Sequence, residues 1–146
     1  MKAFFLSLVM LFVVLFSTAM LVGSYYFFSP AWLTYEGPVK VLSTSVRIGE
    51  AVPIRVTRCN TKGVRGVYDI DRWLIPVKGT PGPVVTLPPS LGISIEPGCH
   101  TGDAAISVIP PGTPLGRYFI TGSARLRGPS LSNVVYWASE QFEVTK

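Results

Sequence analysis

The stretch RYFITGSARL, residues 117–126, decides the fold class of this chain. Its alternate positions form an apolar or small set: Tyr118, Ile120, Gly122, Ala124 and Leu126. The intervening positions are more polar, and this period of two is typical of a half-buried strand. Past residue 36 no apolar pattern with a period of 3.6 extends over more than ten residues. We therefore predict an all-β domain.

Short runs rich in Val, Ile, Thr, Tyr and Phe recur along the rest of the domain, separated by Gly/Pro clusters. The chain contains 13 Pro and 14 Gly, far more than helices tolerate. The predicted strands are 39–48, 51–58, 68–77, 84–87, 92–95, 104–109, 117–126 and 134–144. Seven or eight short strands in a domain of this length suit a two-sheet sandwich.

The segment IPPGTPLGRY, residues 109–118, is a Pro/Gly-rich corner that leads into the penultimate predicted strand. It resembles the corner of immunoglobulin-like and fibronectin type III-like domains of bacterial and phage extracytoplasmic proteins. The resemblance implies an immunoglobulin-like antiparallel β-sandwich of about seven to eight strands, with Tyr118 as a corner tyrosine and Trp73 as the buried core aromatic. Cys99 departs from this pattern, because it does not lie on the penultimate strand.

The N-terminal run 3–28 carries no charge and is almost wholly apolar. A bilayer core requires roughly 20 apolar residues in helical form, so we predict one N-terminal transmembrane α-helix. Lys2 favours a cytoplasmic N-terminus, which makes the chain a single-pass membrane protein with a periplasmic or extracellular C-terminal domain. The predicted divisions are a transmembrane anchor at 1–28, a short juxtamembrane linker at 29–38 and the β-sandwich at 39–146.

A cleaved signal peptide is the alternative reading of the same segment. Residues 1–19 end in Ser17-Thr18-Ala19, which is similar to a small-residue cleavage site. The mature chain would then be a secreted or virion structural protein. If the helix is retained, two sets of residues act at the bilayer: an interfacial aromatic belt of Tyr25, Tyr26, Trp32 and Tyr35, and a helix-association face of Ala19 and Gly23.

The chain has two cysteines, Cys59 and Cys99, both in the predicted extracytoplasmic domain. An oxidising compartment favours a disulfide between them, which would join the loop after the second strand to the loop before Thr101. A metal site of Cys59, Cys99 and His100 lacks the paired spacing of such sites. We expect no metal and no cofactor.

Five basic residues fall within 18 positions: Arg55, Arg58, Lys62, Arg65 and Arg72. The net charge of the chain is +5, so this loop region is a candidate binding surface for an anionic envelope polymer or a lipid headgroup. The alternative is that these charges serve solubility. Interleaved aromatic residues are missing, so we do not expect nucleic acid as a partner.

Catalytic constellations are absent from the sequence. His100 is the only histidine, and no nucleophile elbow or phosphate-binding glycine loop occurs. Asp69 and Asp71 share one strand face, which is more often a solvated face than an acid/base pair. We therefore expect no enzyme, and a hydrolase that uses His100 is the weakest of the alternatives.

The sequence as a whole predicts a membrane-anchored, non-enzymatic interaction or structural module in an envelope, secretion or phage-encoded assembly. Its partners would be the lipid bilayer and another membrane or envelope protein, reached by helix packing or by strand addition, with a homo-oligomer as a further form. The alternative is a module that binds an anionic polymer or a lipid headgroup through the basic loop.

Overall fold

The computed structural model describes residues 2–28, 32–127 and 134–146, and within the N-terminal helix it describes the side chains of 7 and 9–24. In these residues the chain forms one helix and ten strands. In chain order they are α1 (Lys2–Phe28), β1 (Leu33–Tyr35), β2 (Lys40–Val41), β3 (Ser45–Arg47), β4 (Ala51–Asn60), β5 (Gly66–Pro76), β6 (Val85–Ile95), β7 (Gly98–Val108), β8 (Gly116–Leu126), β9 (Val134–Ala138) and β10 (Phe142–Thr145).

Helix α1 occupies the apolar N-terminal run. Over the residues that the structure describes, no helix is long and apolar enough to cross a membrane. Such a crossing requires about 20 consecutive apolar residues, and the continuous stretch with described side chains, 9–24, is shorter. This finding contradicts the predicted transmembrane helix at 1–28. It also contradicts the predicted location as a single-pass membrane protein with a periplasmic or extracellular domain.

The strands form two sheets. In the first, β4 lies in the centre, β7 pairs along one of its sides, and β1 and β2 pair along the other. In the second, the order is β3-β10-β8-β5-β6, and β9 also pairs with β8. The all-β prediction is confirmed. The prediction of a purely antiparallel arrangement is wrong, because β3 and β10 run in the same direction, with Val46 opposite Val144.

One hydrophobic core is shared by both sheets. In β4, Val52, Ile54 and Val56 are buried, as their period of two predicts. In β8, Tyr118 and Ile120 are fully buried on the corresponding inner face. Because both central strands present an apolar face inward, burial of these faces fixes how the sheets lie.

Several predicted strand bounds are wrong, and non-local pairing explains each error. The predicted strand 39–48 is split into β2 and β3, which belong to different sheets. The predicted strand 134–144 is likewise split into β9 and β10. In contrast, 84–87 and 92–95 join into the single strand β6, which contains two prolines. An edge strand with bulges tolerates proline, and β6 pairs only with β5 and shows register shifts there.

The predicted linker 29–38 contains strand β1, which pairs with β4. Leu33 of this strand is buried in the core, and Trp32 and Tyr35 pack against it. The described part of this segment therefore belongs to the β domain rather than to a free connection.

The prediction that Trp73 is the buried core aromatic is wrong. In β5 the inward set is Tyr68, Ile70, Arg72 and Leu74, so Trp73 points to the opposite face and is only half-buried. The buried tryptophan is Trp137 of β9. A strand presents alternate residues to one face, and the apolar neighbours of Arg72 bring its guanidinium inward with them.

Tyr118 closes the corner before β8. Its side chain is fully buried, and its hydroxyl donates a hydrogen bond to the carbonyl of Pro114 at 2.9 Å. This contact fastens the Pro/Gly-rich loop to the first residues of the strand. The corner contact predicted for Tyr118 is therefore present.

We expect Tyr118→Phe to lower the free energy of unfolding by about 1 kcal/mol, because it leaves the Pro114 carbonyl without this donor. Urea denaturation measures the change. Tyr136→Phe is the matched control, since Tyr136 is 74% exposed and should shift stability by under about 0.5 kcal/mol. Equal effects of the two variants would contradict the role given to the corner.

Gly122 of β8 lies beneath the indole of Trp137. A Cβ at this position would lie 2.6 Å from the indole Cζ2 and 2.7 Å from the carbonyl oxygen of Asp71. We expect Gly122→Ala to destabilise the domain by about 1–3 kcal/mol, as overpacking does. Gly102→Ala is the control, because its Cβ would meet nothing within 4 Å. The idea fails if both substitutions change the urea midpoint equally.

Candidate functional site: the open edge of strand β7

Strand β7 forms one edge of the first sheet. It pairs with β4 from Gly98 opposite Asn60 to Val108 opposite Ala51, and no described strand pairs with its other side. Residues 98–105 are all exposed. The register is uninterrupted over 98–105 and shifts only beyond Ala105, where Ser107 adopts a positive φ of 96°. This regular part of β7 is called the open ledge below.

The backbone groups that face outward from the open ledge can be identified from the pairing. The carbonyl of Thr57 accepts a hydrogen bond from the amide of Glu36, so it points away from β7. The pair Thr57–Thr101 is therefore a non-hydrogen-bonded pair of the ladder. The short Cα–Cα distance of 3.9 Å between Cys59 and Cys99, two residues along, agrees with this assignment. The N–H and C=O groups of Cys99, Thr101 and Asp103 consequently face the unpaired side.

Three side-chain contacts fasten the open ledge to β4. Cys59 and Cys99 form a disulfide, Thr57 and Thr101 join their hydroxyl oxygens at 2.8 Å, and Arg55 donates two hydrogen bonds to Asp103 at 2.6 and 2.9 Å. The arginine holds the pKa of the Asp103 carboxyl below its usual range. These contacts lie on three successive rungs of one sheet face, so the ledge is held firmly at its position.

The predicted disulfide is confirmed, but its place differs from the prediction. Cys59 and Cys99 are directly opposite each other in paired strands, rather than in two loops. The described residues contain one group of potential metal ligands, Glu36 with these same cysteines. Because the two sulfur atoms are bonded to each other, they are not thiolate ligands.

Strand β6 is the corresponding edge of the second sheet, and it differs from β7 in a way that matters. β6 contains Pro88 and Pro89 and two register shifts against β5, devices that protect a sheet edge against further pairing. The sequence of β7 contains neither proline nor lysine. Of these two edges, β7 is the one that can accept another strand.

The five basic candidates do not form one surface. Arg55 is paired with Asp103, and Arg65 is paired with Glu96. The ammonium group of Lys62 lies 3.9 Å from the ring centre of Trp32. Arg58 and Arg72 instead point toward the interior and line a cavity between the sheets. Exposed paired arginines have little left to offer an anion, so the structure separates this group into two parts with different environments.

The predicted bilayer residues have other surroundings here. Trp32 lies under Lys62, and Tyr35 lines the cavity, with its ring centre 5.9 Å from that of Trp137. Burial raises the pKa of the Tyr35 hydroxyl to about 12. The side chains of Tyr25 and Tyr26 lie outside the described residues. On α1, Ala19 is exposed and the Cα of Gly23 has open space around it.

The side chains considered for catalysis are occupied structurally. A ring nitrogen of His100 lies 2.8 Å from the carbonyl of Pro97. Asp69 accepts hydrogen bonds from Arg127 and from the amide of Gly92, and these contacts lower the pKa of its carboxyl. Asp71 is on the same outward face of β5. Sequence reasoning missed Trp137 and Ser90, which also line the cavity, although the alternation of Val135 and Trp137 was a usable signal.

No family model matches the chain, and no curated protein sequence matches it. It is similar to parts of three solved structures. For the alkylpurine DNA glycosylase AlkC from Pseudomonas fluorescens, the identity is 16% and the TM-score 0.46, over 80% of this chain and 31% of that one. For the sporulation control protein Spo0M from Bacillus subtilis, the values are 14%, 0.48, 80% and 51%. For a β-glucosidase from Listeria innocua, they are 14%, 0.43, 78% and 16%.

This chain spans about half or less of the length of each of these proteins, and such remote likenesses say nothing of its activity. They do bear on the resemblance drawn from residues 109–118. None of the three is described as an immunoglobulin-like domain behind a membrane helix, and the described residues contain no membrane-spanning helix. The predicted resemblance to such proteins is therefore wrong. A Pro/Gly-rich corner with a buried tyrosine is a local solution that more than one arrangement of strands uses.

We expect loss of the disulfide to loosen the open ledge more than the rest of the domain. The double variant Cys59→Ser/Cys99→Ser should lose roughly 3–4 kcal/mol of unfolding free energy, because the bond closes a loop with a sequence separation of 40. Urea denaturation measures this loss, and amide hydrogen exchange should speed up first at 98–105. Adding reductant to the double variant, which has no bond to reduce, is the control. Uniform acceleration across β5 and β8 would contradict a local role.

Proposed function

We propose that the β domain is a non-enzymatic interaction module that binds an extended segment of a partner polypeptide along the open ledge. The observation that carries this proposal is the unpaired outer side of β7, exposed and regular over 98–105. Addition of a strand to an exposed sheet edge is a recurrent mode of peptide recognition, in which main-chain hydrogen bonds supply affinity.

The three rungs to β4 support this mode energetically. A mobile edge would lose conformational entropy when a partner strand orders it, at about 1–2 kcal/mol for each residue backbone that becomes fixed. The disulfide, the threonine pair and the Arg55–Asp103 ion pair already hold the ledge in its extended form. Each main-chain hydrogen bond, worth about 0.5–1.5 kcal/mol net, can then contribute to binding.

Charge favours a different polypeptide over a second copy of this chain. Each copy carries a net charge of +5, so two copies repel each other, whereas an acidic or neutral extended segment is not opposed. The small inward residues of the ledge, Gly102 and Ala104, leave room beside the added strand for alternate side chains of the partner. The partner we propose is therefore an acidic, extended segment.

The alternative module, which binds an anionic polymer or a headgroup through the basic loop, has less support. Arg55 and Arg65 are already neutralised by carboxylates, and Lys62 is engaged with Trp32. Anion binding there would first have to break these contacts.

Selection of a displayed library of random extended peptides of about eight residues on the full oxidised chain tests the proposal. Thr101→Pro removes one outward N–H without touching a donor of the β4 ladder. We expect enriched peptides to be acidic, to bind the native chain, and to lose binding by about tenfold or more to this variant. Hydrogen exchange should slow at the amides of Cys99, Thr101 and Asp103.

Thr101→Val is the matched control, because it keeps the N–H and loses only the hydroxyl contact with Thr57. It should bind as the native chain does. An intact disulfide and an unchanged circular dichroism spectrum establish that Thr101→Pro is folded. The proposal is wrong if no peptide enriches, if peptides bind Thr101→Pro equally well, or if the slowed amides lie elsewhere. Sedimentation of the free chain as a dimer that Thr101→Pro dissolves would identify a second copy as the occupant and overturn the choice of partner.

A further inference from the structure

A cavity of about 250 Å³ lies between the two sheets, inward of the open ledge. Most of its wall is apolar, with Ile54 and Val56 from β4, Ile70 from β5, Ile93 from β6 and Ile106 from β7. Cavities lined only by such groups stay dry and take apolar guests. This one differs because two arginines share the wall.

Arg72 is the first of them, and its charge is not compensated. Its side chain is 8% exposed, and it donates hydrogen bonds to neutral oxygens only: Ser90 Oγ at 2.6 Å, Ser107 Oγ at 3.3 Å and the carbonyl of Pro88 at 3.3 Å. Its Nε has no partner. Burial lowers the pKa of this guanidinium, but arginine stays charged at neutral pH. A buried cation without a carboxylate is costly to keep, so an anion that reached it would gain free energy.

Other donors converge on the same cavity. Trp137 is also 8% exposed, and its indole Nε1 has no hydrogen-bond partner. Arg58 is half-buried and forms no hydrogen bond or ion pair with the described residues. The hydroxyl of Tyr35 stays protonated far above neutral pH and can donate. No carboxylate is among the residues that line the cavity. The site therefore offers positive charge and N–H groups inside an apolar wall.

We propose that this cavity binds a small organic carboxylate with a short apolar body. The carboxylate would accept from Arg72 and Arg58, with the Trp137 indole as a further donor, and the apolar body would lie against the isoleucine wall. The volume is below the roughly 300–1,000 Å³ of sites that hold drug-sized ligands, so a short chain fits better than a long one. Such a carboxylate can belong to a free short-chain acid or to the C-terminus of a peptide.

Titration of the ¹⁵N-labelled full chain tests this directly, because the Trp137 indole N–H is part of the site. The probes are hexanoate for the free acid, N-acetyl-leucine for a chain terminus, and hexanol as the uncharged analogue of hexanoate. We expect a saturable shift of the Trp137 indole resonance with at least one of the two carboxylates. The indole resonances of Trp32 and Trp73, which do not line the cavity, should stay in place. The tighter-binding carboxylate identifies the source.

Two variants separate the charge from the shape of the site. Arg72→Met keeps the approximate volume and removes the charge, and we expect affinity to fall about tenfold or more. Exchange of a buried charge for a well-packed apolar side chain is often tolerated, so this variant should fold. Arg58→Gln gives a second test should Arg72→Met fail to fold, since Arg58 is only half-buried. Arg47→Gln, which changes an exposed arginine of β3, is the charge-matched control and should bind normally.

The inference is overturned if neither carboxylate shifts the Trp137 resonance, if hexanol binds as well as hexanoate, or if Arg47→Gln weakens binding as much as the cavity variants do. These outcomes are independent of peptide binding at the open ledge, because Thr101→Pro leaves the cavity wall unchanged.

Discussion

Every strand of the first sheet depends on pairing with β4, since β1, β2 and β7 each pair with it and with no other strand of that sheet. Its inner face contributes Val52, Ile54 and Val56 to the core, and its outer face holds the disulfide, the hydroxyl pair and the Arg55 ion pair. The two faces thus do different work, burial on one side and fastening of β7 on the other. Without β4, neither the open ledge nor the cavity wall would have a defined position.

The sequence predicted those parts of the fold whose signals are local. Strands β4 and β8 follow from their period of two, and the disulfide follows from a pair of cysteines in one domain. Other features depend on residues far along the chain. The split of 39–48 is set by pairing with different sheets, and the continuity of β6 through Pro88 and Pro89 is set by its place at an edge. The inward turn of Arg72 instead of Trp73 is a matter of register, which local composition does not encode.

The candidate site shows the same division. Proximity in sequence grouped Arg55, Arg58 and Arg72 as one basic surface, but alternation along each strand sends Arg55 outward and the other two inward. Carboxylates that neutralise Arg55 and Arg65 come from Asp103 and Glu96, 48 and 31 residues away in the chain. A count of charges in a window therefore says little about which of them remain available to a ligand. The unpaired edge of β7 was foreseen only as a general property of sheets, because its position required the strand order.

The parallel pair of β3 and β10 has a consequence for biosynthesis. Residues 45–47 of β3 leave the ribosome well before residues 142–145 of β10, the strand beside which they lie in the finished domain. Contacts between segments so far apart in the chain form late and slow the folding of β proteins. During translation the apolar faces of β4 and β5 are thus exposed while their last neighbours are still being made, which is the interval in which nascent β domains are prone to aggregate and to engage chaperones.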